Sequence, residues 1–303
     1  MNEYYRKQVL LLLDVLPELV KLPQFALKGG TALNFFWHNL PRLSVDIDLV
    51  YLPIKDRTDS LREIEKGLST LTDFIKERIA DAKIQPIESG GTLSRLVIRT
   101  SDAQIKIETN TIIRGSLFDT HERELCSKAQ NLFQKYSANK TLSYEDLYGG
   151  KLCAALDRQH PRDLFDIKQL LDELGLTKSI IHAFIGYLIS HSRPINELLN
   201  PNIRDLVPVY EKEFSGMTVE QIEATELNVI LSLLPEMIVS RLTREDKNFL
   251  MTFKEGNPDW NLLPISHLMD LPAVQWKLQN IRKMDRKKHQ IEVNKLARVL
   301  DLS

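Results

Sequence analysis

The sequence has little of what would mark a secreted, fibrous or membrane-spanning chain. It holds two cysteines in 303 residues, Cys126 and Cys153, without the spacing of a zinc site or a disulfide framework. A reduced, cytoplasmic protein is therefore expected. Glycine and proline, at 12 and 13 residues, fall short of collagen-like or low-complexity composition. No apolar run nears the roughly 20 residues of a membrane span; residues 9–13 are apolar but stop at Asp14. The opening MNEYYRKQ does not have the layout of a signal peptide, and there are no internal repeats. Net charge is only −1, so any nucleic acid would have to be held by local patches, not by a basic bulk. The remainder, 43% hydrophobic and 27% charged, suits a soluble globular chain of one large domain or two.

The informative stretch is residues 25–51, FALKGGTALNFFWHNLPRLSVDIDLVY. It reads as an apolar lead-in, a Gly-Gly turn, a short helix, a Pro turn and a second apolar run. Side chains two apart on a strand share a face, so Asp46 and Asp48 project together while Val45, Ile47 and Leu49 fill the other side. Paired carboxylates repel one another and suit a hard divalent cation, Mg²⁺ above all. Gly29 and Gly30 provide backbone without Cβ that can approach a phosphate, next to the free N–H groups of a helix start. Taken singly, an Asp-x-Asp is also an ordinary polar strand face and a Gly-Gly an ordinary turn.

In that order, glycine turn, helix and paired aspartates resemble the polymerase-beta-like nucleotidyltransferase superfamily. KGGTALNFF followed by LPRLSVDIDLVY is more similar still to the AbiEii/AbiGii toxin family of nucleotidyltransferases. The resemblance implies an α/β (α+β) core with a small mixed sheet, residues 1–140, followed by a mostly helical C-terminal domain, residues 141–303, that closes the nucleotide site. It also implies that Asp46 and Asp48 are catalytic metal ligands and that Lys28, Gly29, Gly30, Thr31, Arg42 and Ser44 bind nucleotide.

Elsewhere, residues 4–20 and 58–78 have helical apolar spacing. Residues 92–100 and 103–113, TLSRLVIRT and AQIKIETNTII around Ser101-Asp102, predict a β-hairpin. On its second arm Lys106, Glu108 and Asn110 share a face, which spacing alone reads as a solvated sheet surface. IKIETNTIIRG resembles the family segment that supplies a third carboxylate, and this assigns Glu108 as catalytic and metal-binding. Many superfamily members use Asp there.

Residues 143–175, SYEDLYGGKLCAALDRQHPRDLFDIKQLLDELG, predict two helices. Ser143 caps the first, Pro161 begins the second and Gly175 ends it. Gly149-Gly150 within the first suggests close packing or approach to a ligand. Asp163 and Asp166 are explained by the helix dipole, with Arg162 pairing one of them. The resemblance of KLCAALDRQHPRDLFDI to the family's second motif region implies more: Lys151, Asp163 and Asp166 as catalytic residues, with Lys151 on the nucleotide phosphates and the aspartates holding the site, and Arg158 and Arg162 binding nucleotide. His160 reads as a helix-junction residue.

Beyond Gly175 the pattern is helical, and Trp276 reads as a core aromatic. Lys283, Arg286, Lys287 and Lys288 lie in a basic tail, which is a solvated face or an RNA-backbone site. The family implies the toxin of a type IV toxin–antitoxin or phage-defence pair with a cognate antitoxin. Such a toxin transfers NMP from an NTP to an acceptor, with Mg²⁺ and pyrophosphate release; relatives act on the tRNA 3′ end. Two rivals stand beside this: nucleotidylation of a protein partner, and nucleotide or RNA binding without catalysis.

Overall fold

The computed structural model describes residues 3–302, which form two compact units. The first comprises the chain up to Leu147 together with Phe214–Gln221, and the second comprises Tyr148–Glu213 and Ile222 onward.

The first unit is built on a seven-stranded mixed sheet. Its strands are β1 (Phe25–Lys28), β2 (Asp46–Tyr51), β3 (Lys83–Ser89), β4 (Thr92–Arg99), β5 (Gln104–Thr109), β6 (His121–Glu124) and β7 (Ala138–Thr141), in the order β3-β4-β5-β2-β1-β7-β6. The central strand β2 runs antiparallel to β1, with Lys28 opposite Asp48. It runs parallel to β5, with Asp46 opposite Lys106 and Asp48 opposite Glu108. The predicted hairpin forms as β4 and β5, with Arg95 facing Glu108. Period-two alternation divides the faces: Ile47, Leu49, Ile105 and Ile107 are buried, while Asp46, Asp48, Lys106 and Glu108 lie on the open side.

Helix Glu3–Leu19 packs on β5 and β7, and helix Arg57–Arg78 packs on β4 and on the first helix. Val9, Leu12, Leu16, Ile64, Leu68 and Leu71 are completely buried. Asp56 caps the second helix by accepting from Asp59 N. The sheet is larger than the expected small one. Edge strand β3 and the short strands β6 and β7 carry mostly exposed or polar residues, HERE and ANKT among them, with no apolar alternation for a sequence pattern to reveal.

The second unit is helical. Helix Lys178–Ser190 buries Ile180, Ile181, Ala183, Phe184, Ile185, Leu188 and Ile189, the all-round apolar pattern of an element enclosed by others. Gly149 explains one contact on it: a Cβ there would lie 2.7 Å from the backbone carbon of Ala183. Gly149 in helix Tyr144–Arg158 thus serves close helix packing, while a Cβ at Gly150 would meet Tyr187 at an ordinary 3.6 Å. Among the described residues no helix is long and apolar enough to cross a membrane.

Candidate active site

In the first unit the Gly-Gly turn is shaped by the side chains packed on it. Gly29 has φ +69°, and a Cβ there would lie 2.3 Å from Asp48 Oδ2; a residue with a side chain would be strained and would displace that carboxylate. At Gly30 a Cβ would meet Arg42 Nη2 at 2.7 Å and Ser44 Oγ at 3.0 Å. Thr31 Oγ1 donates to the Asp46 carbonyl at 2.5 Å and lies 3.0 Å from the Ser44 hydroxyl, tying the turn to the start of β2. Arg42 is buried, with Nη1 donating to Leu43 O at 2.7 Å. The structure therefore brings Lys28, Gly29, Gly30, Thr31, Arg42, Ser44, Asp46 and Asp48 together.

Glu108 shares their sheet face but is drawn toward β4. Arg95 Nε lies 2.8 Å from its Oε1, in ion contact but off the hydrogen-bonding direction. Arg95 was not anticipated; counting the hairpin register back through the Ser101-Asp102 turn places it opposite Glu108.

In the second unit, helices Tyr144–Arg158 and Pro161–Glu173 meet through a sharp turn in which Gln159 adopts φ +51°. Gln159 is held there by donating to Asn202 O and accepting from Arg204 N, each at 2.8 Å. The turn folds Arg158 back onto Asp163, with Nε to Oδ2 at 2.6 Å and Nη2 to Oδ1 at 2.8 Å. This is a bidentate pair. Lys151 Nζ sits 3.0 Å from both Asp163 Oδ1 and Asp166 Oδ2. Lys151, Asp163 and Asp166 are 6%, 0% and 3% exposed, whereas the Arg158 side chain is 60% exposed. Burial alone would raise the Asp163 carboxyl, but Lys151 and Arg158 overcome it and hold its pKa well below the usual range.

The Arg162 guanidinium lies beside His160 and Glu213. His160 is indeed the junction: its Nδ1 accepts from Arg162 N at the start of the second helix. Burial lowers the His160 pKa, against the opposing Glu213 carboxylate.

The family model described as Nucleotidyl transferase AbiEii toxin, Type IV TA system, matches residues 10–280. This chain belongs to the AbiEii nucleotidyltransferase toxin family. Its fold is similar to that of MenT4, a nucleotidyltransferase toxin of Mycobacterium tuberculosis H37Rv. The TM-score is 0.58 at 12% identity, covering 98% of this chain and 95% of that one. No curated protein matches the sequence significantly.

AbiEii membership implies an NTP substrate and a cognate antitoxin, and nucleotidyltransferases in general use a divalent ion. Asp46 and Asp48 fit such an ion, because Mg²⁺ is held by one or two carboxylates plus substrate phosphates and water. Among the described residues no three acidic, histidine or cysteine side chains converge to hold a metal unaided; Glu108 is engaged by Arg95.

The basic tail of this AbiEii chain is two helices, Pro272–Arg282 and Arg286–Val299. Asp285 caps the second by accepting from Lys287 N and Lys288 N. Lys283, Arg286, Lys287 and Lys288 are all exposed. Lys277, also in the basic stretch, turns inward to the carbonyls of His191, Ser192 and Arg193. Trp276, expected in the core, is 59% exposed. Ala273, Val274, Leu278 and Ile281 form that helix's buried stripe, and position 276 falls opposite it.

Proposed function

We propose that this AbiEii toxin transfers a nucleotidyl group from an NTP to the 3′ end of tRNA, with release of pyrophosphate. The observation that carries the reading is the Asp46–Asp48 pair, with Asp48 packed against Gly29, in a chain whose family is that of nucleotidyltransferases. Asp46 and Asp48 would hold a divalent ion, Mg²⁺, with Glu108 as the third carboxylate. The bound ion would neutralise triphosphate charge and favour the attacking oxygen. Arg95 neutralises Glu108 through a half-exposed ion pair worth under about 1 kcal/mol, weak enough to be given up. Gly29 and Gly30 leave room for phosphate at the helix start, while Thr31 and Ser44 fix the turn beside Asp46. In the second unit Asp166 holds Lys151, Lys151 holds Asp163, and Asp163 orients the exposed guanidinium of Arg158 for phosphate. Lys283, Arg286, Lys287 and Lys288 attract the RNA backbone.

The test incubates purified protein with each labelled NTP, Mg²⁺ and total tRNA, with a chelator control. Label on tRNA from at least one NTP, lost with chelator, is expected. Label on protein alone would overturn the RNA acceptor in favour of protein nucleotidylation. No label on either would overturn catalysis.

A further inference from the structure

We propose that the exposed face of helix Pro272–Arg282, continued onto the start of helix Arg286–Val299, docks an unpaired RNA strand, with Trp276 as the platform on which one base stacks. This deepens, and rests on, the reading of RNA as the acceptor. Trp276, Gln279, Asn280 and Lys283 are all exposed and fall at i, i+3, i+4 and i+7, one side of the helix. The other two tryptophans are engaged within the fold. Trp37 donates Nε1 to Thr141 Oγ1 at 3.0 Å with Arg123 over its ring, and Trp260 lies 5.8 Å from Phe249 and 6.3 Å from Phe253. An indole offers a large flat apolar surface, and leaving one in water opposite a complete buried stripe adds nothing to packing.

The chemistry around Trp276 selects the occupant. Gln279 and Asn280 can both donate to and accept from base edges. Lys283, Arg286, Lys287 and Lys288 follow, all exposed. The single acidic residue between positions 272 and 288 is Asp285, whose carboxylate is occupied by the Lys287 and Lys288 amides. An aromatic face beside amides and cations is the composition of a single-strand platform. Trp276 and Lys283 are seven residues, about 10 Å, apart along the axis, roughly three nucleotides at stacked spacing. A duplex keeps its base faces inside and could engage only the cations.

The test measures anisotropy of a labelled unpaired RNA hexamer and of a blunt RNA duplex. The proteins are the full chain, Trp276→Ala, Trp276→Phe and the double variant Lys283→Gln/Arg286→Gln. Stacking on one base predicts that Trp276→Ala weakens the hexamer roughly 5- to 150-fold and leaves the duplex unchanged. Trp276→Phe should keep most of the affinity, and the Gln variant should weaken both ligands. Unchanged hexamer affinity in Trp276→Ala, or equal losses for hexamer and duplex, would overturn the platform. Nucleotidyl transfer to tRNA measured in parallel separates the two readings. Wild type that docks the hexamer through Trp276 yet transfers nothing to tRNA supports the platform and overturns the acceptor. Wild type that transfers to tRNA, with Trp276→Ala binding and transferring equally well, supports the acceptor and overturns the platform.

Discussion

Replacing Lys151 by methionine keeps most of the side-chain volume and removes the charge with its N–H donors, so the variant isolates what the ammonium does. In the folded protein that ammonium is 3.0 Å from a carboxylate oxygen of Asp163 and 3.0 Å from one of Asp166, and all three side chains are nearly inaccessible to solvent. Its loss leaves Asp163 with Arg158 and takes the Lys151 ammonium from Asp166. Breaking a buried ion pair from one side costs about 3–5 kcal/mol. For a unit of this size that lowers the melting temperature by roughly 6–20 °C.

The deficit should also depend on pH. In wild type the Asp163 pKa is depressed. Its stabilising contribution is therefore complete above the unfolded carboxylate pKa of about 3.9 and is lost as pH falls through the folded value. Without Lys151, burial is less opposed and the folded pKa rises, so the gap between variant and wild type should narrow as pH falls from 7 toward 4. Thermal melts across that range are the assay. A Lys151→Met protein melting within 2 °C of wild type at pH 7 would refute the reasoning.

Gly29→Ala should put a methyl group on Asp48 and force a side chain into positive φ. A carboxylate shift on the order of 1 Å predicts about a hundredfold loss of nucleotidyl transfer, at a stability cost of about 1–3 kcal/mol; unchanged steady-state kinetics would contradict it. Arg158→Ala, at an exposed position, should weaken NTP binding measurably while the fold survives; equal NTP affinity by calorimetry would remove Arg158 from the phosphate role. Replacing Lys283, Arg286, Lys287 and Lys288 with Gln should flatten the salt dependence of tRNA affinity by up to about 3 in log–log slope and leave NTP binding unchanged. A wild-type slope would reduce the tail to a solvated surface.

The central strand and the hairpin were legible because their apolar residues alternate over buried positions: Ile47 and Leu49, Ile105 and Ile107. Gly29 was legible because a Gly-Gly before a helix has a steric meaning, which the contact with Asp48 makes specific. Strands β6 and β7 were not, since HERE and ANKT carry no apolar period; their pairing to the sheet supplies the order instead. Spacing alone explains the aspartates of the second motif by the helix dipole, and a local pattern does not reveal their burial. What buries them is the turn at Gln159 and the lysine twelve residues before Asp163. Trp276 lies outside the core, because counting from Val274, Leu278 and Ile281 puts it on the far side of its helix.

The most direct test compares labelled nucleotide transfer to tRNA by wild type, Asp46→Asn and Asp48→Asn at saturating NTP and Mg²⁺, with melting temperatures taken in parallel. Each variant should lose transfer by at least about a hundredfold, the scale expected when a group acting on transition-state charge is removed. Each should melt, without metal, at or above the wild-type temperature, because neutralising one of two adjacent carboxylates relieves their repulsion. Wild-type turnover in either variant would contradict the assignment of the Asp46–Asp48 pair as the catalytic centre.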